Sequence, residues 1–121
     1  MSDPGAPDSV AALTEALRAF ARERDWEQFH LPKNLAMALV VEAAEIVEHF
    51  QWLDGPASSR LPEDRKRAVA LEIGDTLLYL LRLADVLGID PLVAARSKMT
   101  INAERYPIDK AFGSHAKYDE L

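Results

Sequence analysis

Glu42 and Glu45 stand in one strongly apolar segment, and Glu72 and Asp75 stand in the next, each pair at i, i+3. At about 100° per residue, Leu35, Ala38, Leu39, Glu42, Glu45, Ile46 and His49 share one helical stripe, so the two acids point where the leucines point. A second stripe holds Ala68, Glu72, Asp75, Thr76, Tyr79, Leu83 and Val86. Four ionised carboxylates on facing inner stripes repel one another and cost several kcal/mol each to desolvate, unless cations neutralise them. A divalent metal site explains the arrangement, and an all-oxygen donor set suits Mg2+ or Mn2+.

The two pairs must stand at one height for this to work. With Pro56 and Pro62 bracketing the connection, the helices end near Leu53 and restart near Leu61. Glu45 then lies roughly 12 Å before the turn and Glu72 roughly 16 Å after it, at about 1.5 Å rise per residue. An antiparallel hairpin brings the pairs together. Di-iron chemistry is disfavoured, because it calls for His three residues after an inward Glu. Here Glu45 is followed at that spacing by Glu48, Glu72 by Asp75, and His49 falls one residue late.

The elements that position these acids read as helices throughout. Asp8 or Ser9 caps a first helix to about Arg24 with Val10, Leu13, Leu17 and Phe20 as its apolar stripe. After the irregular stretch DWEQFHLP, Pro32 opens a second helix to about Leu53. The segment DGPASSRLPED reads as a loop, and Pro62, Glu63 and Asp64 open a third helix ending at Gly88. Asp90 and Pro91 start a fourth, to about Arg105, which Pro107 stops; the tail IDKAFGSHAKYDEL has no clear period. The expectation is an all-α, four-helix bundle: residues 1–8 disordered and 9–121 forming one domain.

Both central helices are apolar almost all round. Met37, Val40, Ala44 and Val47 lie opposite the acids of the second, and Ala70, Gly74, Leu77 and Leu81 opposite those of the third. A helix in a monomer of this size cannot readily bury both faces, so a homo-oligomer is expected.

At 121 residues the chain can bury a core yet is short for an enzyme that must enclose a substrate alone. It has no cysteine, which excludes disulfides, thiol nucleophiles and thiolate metal sites. The polar start MSDPGAPDS lacks a basic and apolar leader pattern, and no long apolar span follows, so a soluble, cytoplasmic protein is expected, with no membrane partner. A formal net charge of −6 argues against a nucleic-acid polymer as partner. Between Pro91 and Tyr118, however, Arg96, Lys98, Arg105, Lys110 and Lys117 face only Glu104 and Asp109, a basic excess able to receive small polyanions.

With the acid pairs in place, further runs carry a family resemblance: RDWEQFH from Arg24 to His30, Pro32 with Asn34, ALVVEAAEIVEHFQW from Ala38 to Trp52, EIGDTLLYL from Glu72 to Leu80, and SKMTINAERYP from Ser97 to Pro107. The chain resembles the MazG-like all-α nucleoside triphosphate pyrophosphatases, and within them the dCTP pyrophosphatase branch, from about Val10 to Leu121. The resemblance implies Mg2+-dependent hydrolysis of a nucleoside triphosphate to monophosphate and pyrophosphate, in a homo-oligomer that is commonly a tetramer. It implies Glu42, Glu45, Glu72 and Asp75 as metal ligands and catalytic groups; independently of it, a carboxylate not fully used in ligation can act as general base, with Glu45 the first choice. Trp26, His30, Trp52, Tyr79 and Asn102 match positions lining the nucleotide pocket, and Lys98, Arg105 and Tyr106 its phosphate side. One departure bears on the base: dCTP-branch relatives tend to carry His on the first helix where this chain has Leu17. The expected substrate is dCTP or a 5-substituted dCTP, with selectivity over other dNTPs weaker than in that branch. A different class of protein, a non-catalytic helical oligomer that senses a metal or nucleotide, uses the same acids without turnover.

Overall fold

The computed structural model describes residues 9–121, and among them there are helices and turns but no strand. The expected disorder of residues 1–8 lies outside the described residues. Six α-helices follow in order: α1 Val10–Glu23, α2 Pro32–Glu48, α3 Gly55–Ser58, α4 Glu63–Val86, α5 Pro91–Arg105 and α6 Ile108–Ala111. Short 3₁₀ turns occupy Glu27–Phe29 and Tyr118–Glu120. The four long helices are those anticipated from periodicity; α3 and α6, each a single turn, replace segments expected to be irregular. The chain divides into two compact units, one ending at Gly88 and the other spanning Ile89–Leu121.

In the first unit, α4 packs against both α2 and α1. Ser9 caps α1, its hydroxyl accepting from the Ala12 amide at 3.1 Å. The far end of α1 closes in a Schellman arrangement: the Asp25 amide donates to the Arg22 carbonyl at 3.1 Å and the Trp26 amide to the Ala21 carbonyl at 2.9 Å. Asp25 takes the left-handed backbone this closure needs, with φ 54, and its carboxylate accepts from the Gln28 side chain at 3.0 Å. A short polar side chain that bonds locally tolerates that conformation. The Phe20 and Trp26 rings meet edge-on at 5.8 Å, the apolar contact that usually accompanies the motif.

Pro32 begins α2 as expected, but the helix stops at Glu48 rather than near Leu53. Asp54 must be extended to cap α3, where its carboxylate accepts from the Ala57 amide at 2.8 Å, so the chain leaves helical geometry before it. Residues 49–53 become tight turns, and the Arg65 guanidinium donates to the His49 carbonyl at 3.3 Å, placing a cation at the negative end of α2. The N-terminus of α4 carries Glu63 and Asp64, which suit its positive end. Gly88, at φ 69, lets the chain turn off the other end.

The buried apolar residues, Ala21, Leu35, Val69, Leu81 and Ala84, belong to α1, α2 and α4. Elsewhere the apolar faces stay open: Met37, Val40 and Val47 on α2 and Leu71, Ile73 and Leu77 on α4 are all exposed. Leu81, grouped with that outward face from the sequence, is instead 3% exposed and part of the core. In the second unit, Asp90 caps α5 by accepting from the Leu92 and Val93 amides at 2.9 and 3.2 Å, with Pro91 at the first helical position. Among the described residues no helix is long and apolar enough to cross a membrane.

Candidate functional site

Two adjoining features in the first unit carry chemistry: an acidic cluster between α2 and α4, and a cavity whose walls come from α1, the turn after it, α2 and α4. Glu42 and Glu45 lie one turn apart on α2, and Glu72 reaches them from α4. Carboxylate oxygens of these three residues all lie within 4.8 Å of one another, and all three side chains are half-buried. Glu42 Oε2 and Glu72 Oε2 are shielded from solvent and have no hydrogen-bond partner. A buried anionic oxygen without a donor is costly, and a divalent cation supplies what each lacks.

The electrostatics agree. The Glu72 carboxyl is pushed up to about 7, first by its hydrogen bond with Glu45, then by burial and by the charges of Glu45, Glu42 and Asp75. Burial, with the negative charge of Glu45 beside it, also raises Glu42. A cation would reverse the sign of the local field. Asp75 bears on both glutamates through its charge, but it is exposed and stands apart from the three converging oxygens. It lines the neighbouring cavity instead and so joins the two features.

That cavity, of about 220 Å3, is walled by Leu17, Phe20 and Ala21 of α1, by Trp26 and His30, by Leu35 of α2, and by Asp75, Leu78, Tyr79 and Arg82 of α4. The lining is largely apolar and aromatic with a few polar groups, the character of a small-molecule site. The Schellman closure delivers Trp26 to one wall, and the following 3₁₀ turn delivers His30, whose ring meets Trp26 edge-on at 6.3 Å. Tyr79 sits one turn beyond Asp75 on α4. Leu17, singled out as a departure from the dCTP branch, is a wall residue.

A hydrogen-bonded chain of charges runs behind this wall. Arg18 grips Asp85 with two bonds, Nε to Oδ2 at 3.0 Å and a terminal nitrogen to Oδ1 at 2.6 Å. Asp85 Oδ2 also accepts from Arg82 at 3.1 Å, and Arg82 Nε donates to His30 Nδ1 at 3.0 Å. The bond from Arg18, outweighing burial, holds the Asp85 carboxyl below the usual carboxylate range. Burial and the Arg82 charge push the His30 imidazole down, with Glu27 opposing. Arg82 is 8% exposed, a charge hidden inside the fold and paired on two sides.

Of the residues expected from sequence, Glu42, Glu45 and Glu72 meet in the cluster, and Asp75, Trp26, His30 and Tyr79 meet in the cavity. Trp52 does neither: it follows the end of α2, is 88% exposed and is no part of the cavity wall. In the second unit, Lys98, Asn102 and Arg105 are exposed along one face of α5. The Asn102 carbonyl accepts from the Tyr106 amide at 2.8 Å, Arg105 lies over the Tyr118 ring at 4.6 Å, and Tyr106 and Tyr118 meet edge-on at 6.1 Å. Arg82, Arg18 and Asp85 were missed. The one available signal was an arginine three residues beyond Tyr79, inside the apolar run LLYLLRLADVL.

The sequence pattern of the MazG-like family matches residues 37–121. The chain is 48% identical over 104 residues to human dCTP pyrophosphatase 1 and 44% identical over 104 residues to its mouse counterpart, covering 84% of this chain in each case. It spans about 61% of the length of those relatives. A crystal structure of a pyrophosphatase from Archaeoglobus fulgidus superposes with a TM-score of 0.79 at 38% identity, covering 88% of this chain and 99% of that one.

Proposed function

The chain belongs to the MazG-like family, and we propose that it is a Mg2+-dependent nucleoside triphosphate pyrophosphohydrolase that converts a dNTP to the monophosphate and pyrophosphate. The observation that carries this reading is the convergence of Glu42, Glu45 and Glu72, two of them with orphaned buried oxygens, beside an aromatic cavity bordered by Asp75. Glu42, Glu45, Glu72 and Asp75 would hold the cation, with Mn2+ an expected substitute. When bound, the metal neutralises phosphate charge and makes an attacking water more acidic.

The chain's own groups do the rest. Glu45, whose carboxylate meets those of Glu42 and Glu72, is the general base: it takes the proton of the attacking water. Trp26 offers a planar wall against a base, Tyr79 and His30 supply polar edges, and Asp75 sits where base cavity and acid cluster meet. Lys98, Asn102, Arg105 and Tyr106 take the triphosphate-side roles that family resemblance assigns, and Trp52 a further stacking role. The preferred substrate is dCTP or a 5-substituted dCTP, as the similarity to dCTP pyrophosphatases supports. With Leu17 an apolar wall residue, discrimination among bases is weaker than a pocket with an additional imidazole would give. The exposed apolar faces of α2 and α4 support a homo-oligomer, a tetramer by family resemblance, and the place for such nucleotide chemistry is the cytoplasm.

The test is incubation with a panel of NTPs and dNTPs plus Mg2+. Equal release of pyrophosphate and monophosphate, with dCTP among the best substrates, is expected. Tight binding without turnover would favour a nucleotide sensor instead, and a clear purine preference would overturn the cytidine assignment while leaving the acid-cluster chemistry in place.

A further inference from the structure

We propose that Arg82 is a positioning residue that fixes His30 as the Nε2–H tautomer, so that the cavity offers a permanent hydrogen-bond donor to an acceptor on the edge of the bound nucleobase. This inference rests on the nucleotide reading given above, and it concerns specificity rather than the hydrolytic step.

The inference starts from the direction of one hydrogen bond. A guanidinium nitrogen is a donor only, and Arg82 Nε lies 3.0 Å from His30 Nδ1. Nδ1 must therefore accept, which leaves the ring neutral with its single proton on Nε2. A second tautomer would set one N–H against another, and a charged imidazolium would add the repulsion of a cation beside a hidden guanidinium. Burial and the Arg82 charge do disfavour protonation of this ring.

Arg82 cannot readily turn away. It is 8% exposed, and Asp85 accepts a second bond from it at 3.1 Å. Asp85 is itself held by the two-bonded grip of Arg18, reaching across from α1. Three side chains from two helices thus fix the orientation of one imidazole, a supporting arrangement of the kind that orients histidines at functional sites. Among the described residues the His30 ring has no second hydrogen-bond partner. His30 lines the same cavity as Trp26, and a base against the Trp26 wall supplies that partner through a ring nitrogen or carbonyl. Stacking accepts any base, whereas a fixed donor rejects an edge that presents only donors to it.

Long-range proton–nitrogen NMR on the full chain, with His30→Gln assigning the signal, reads the tautomer directly. At neutral pH and without metal, His30 is expected to show protonated Nε2 and unprotonated Nδ1. Added dCMP should move the Nε2–H resonance, while deoxyribose 5-phosphate, which lacks a base, should leave it in place. Arg82→Gln should give mixed tautomers and raise KM for dCTP by about tenfold, the worth of one hydrogen bond, with kcat little changed. If Arg82→Gln fails to fold, the wild-type tautomer and its response to dCMP remain decisive. A proton on Nδ1, a charged ring at neutral pH, or an Nε2 signal indifferent to dCMP would overturn the proposal. A responsive His30 in a protein that hydrolyses no nucleotide would instead sink the hydrolase reading alone, and turnover with a silent His30 would do the reverse.

Discussion

Carboxylate oxygens of Glu45 on α2 and Glu72 on α4 lie within 4.8 Å of one another, and the interaction with Glu45 is the main reason Glu72 is pushed up to about 7. Acids crowded this closely, one of them strongly raised, mark a place where positive charge is wanted. The relationship spans α2 and α4, two of the helices packed together in the first unit, so it ties the stability of the fold to the ionic state of the site.

Stability should therefore depend on pH in an unusual direction. Glu72 is raised from 4.5 to about 7, so across that window the folded chain holds protons that the unfolded chain releases. Its contribution is fully present below about pH 4.5 and lost as pH rises through about 7. Glu42 shifts the same way. His30 is lowered from 6.5, so it acts oppositely and adds stability as pH rises through that value. With two acids against one imidazole, the melting temperature of the metal-free protein should fall between pH 5 and pH 8. Excess Mg2+ should flatten or reverse that fall, because it binds the ionised cluster of the folded state only. Differential scanning fluorimetry across pH, with and without Mg2+, reads both; a metal-free melting point that rises steadily to pH 8 contradicts the raised Glu72 carboxyl.

Substituting the ligands separates charge from shape. Glu42→Gln and Asp75→Asn should each lower turnover by about 100-fold or more, since they remove charge that holds the cation. Glu42→Gln also relieves repulsion within the cluster, so the metal-free variant should melt at or above the wild-type temperature. Near-normal turnover in both variants at low Mg2+ would refute the assignment.

The starts of the long helices were legible because their signals are local. Ser9, Pro32 and Asp90 each act within three residues of their own position, and the structure has them capping or opening the expected helices. The end of α2 was not legible, since no Gly or Pro stands within five residues after Glu48 and the stop is imposed by Asp54 capping α3. The acid cluster was readable because i, i+3 spacing survives into three dimensions; the more open position of Asp75 depends on how α4 is rotated, which periodicity fixes only coarsely. Arg82 pairs with a histidine 52 positions away, and no pattern along the chain encodes such a partner.

The two tryptophans should behave differently. Trp26 walls the cavity, whereas Trp52 stands 88% exposed outside it. Trp26→Ala should raise KM for every nucleotide with a smaller effect on kcat, by the equivalent of about 1 to 3 kcal/mol of stacking. Trp52→Ala should have the lesser effect on a dilute, dissociated chain. Steady-state kinetics on both variants decides this, and a kcat loss confined to Trp26→Ala would indicate that the ring positions phosphate rather than base.

The open apolar faces make a prediction about mass. Met37, Val40, Val47, Leu71 and Ile73 are each more than half exposed, more apolar surface than an isolated domain usually carries. Light scattering should give two or four times the 13.5 kDa of one chain. Val40→Glu with Leu71→Glu should shift the population towards monomer, and a fully active wild-type monomer would contradict the assembly.

The most direct test of the central claim is quantitation of pyrophosphate and dCMP from dCTP as Mg2+ is titrated, for the wild type and for Glu72→Gln. The account predicts no turnover without a divalent cation, equal amounts of the two products at saturation, and a loss of about 100-fold or more in the variant. Metal-independent turnover, release of inorganic phosphate in place of pyrophosphate, or an unimpaired Glu72→Gln enzyme would contradict it.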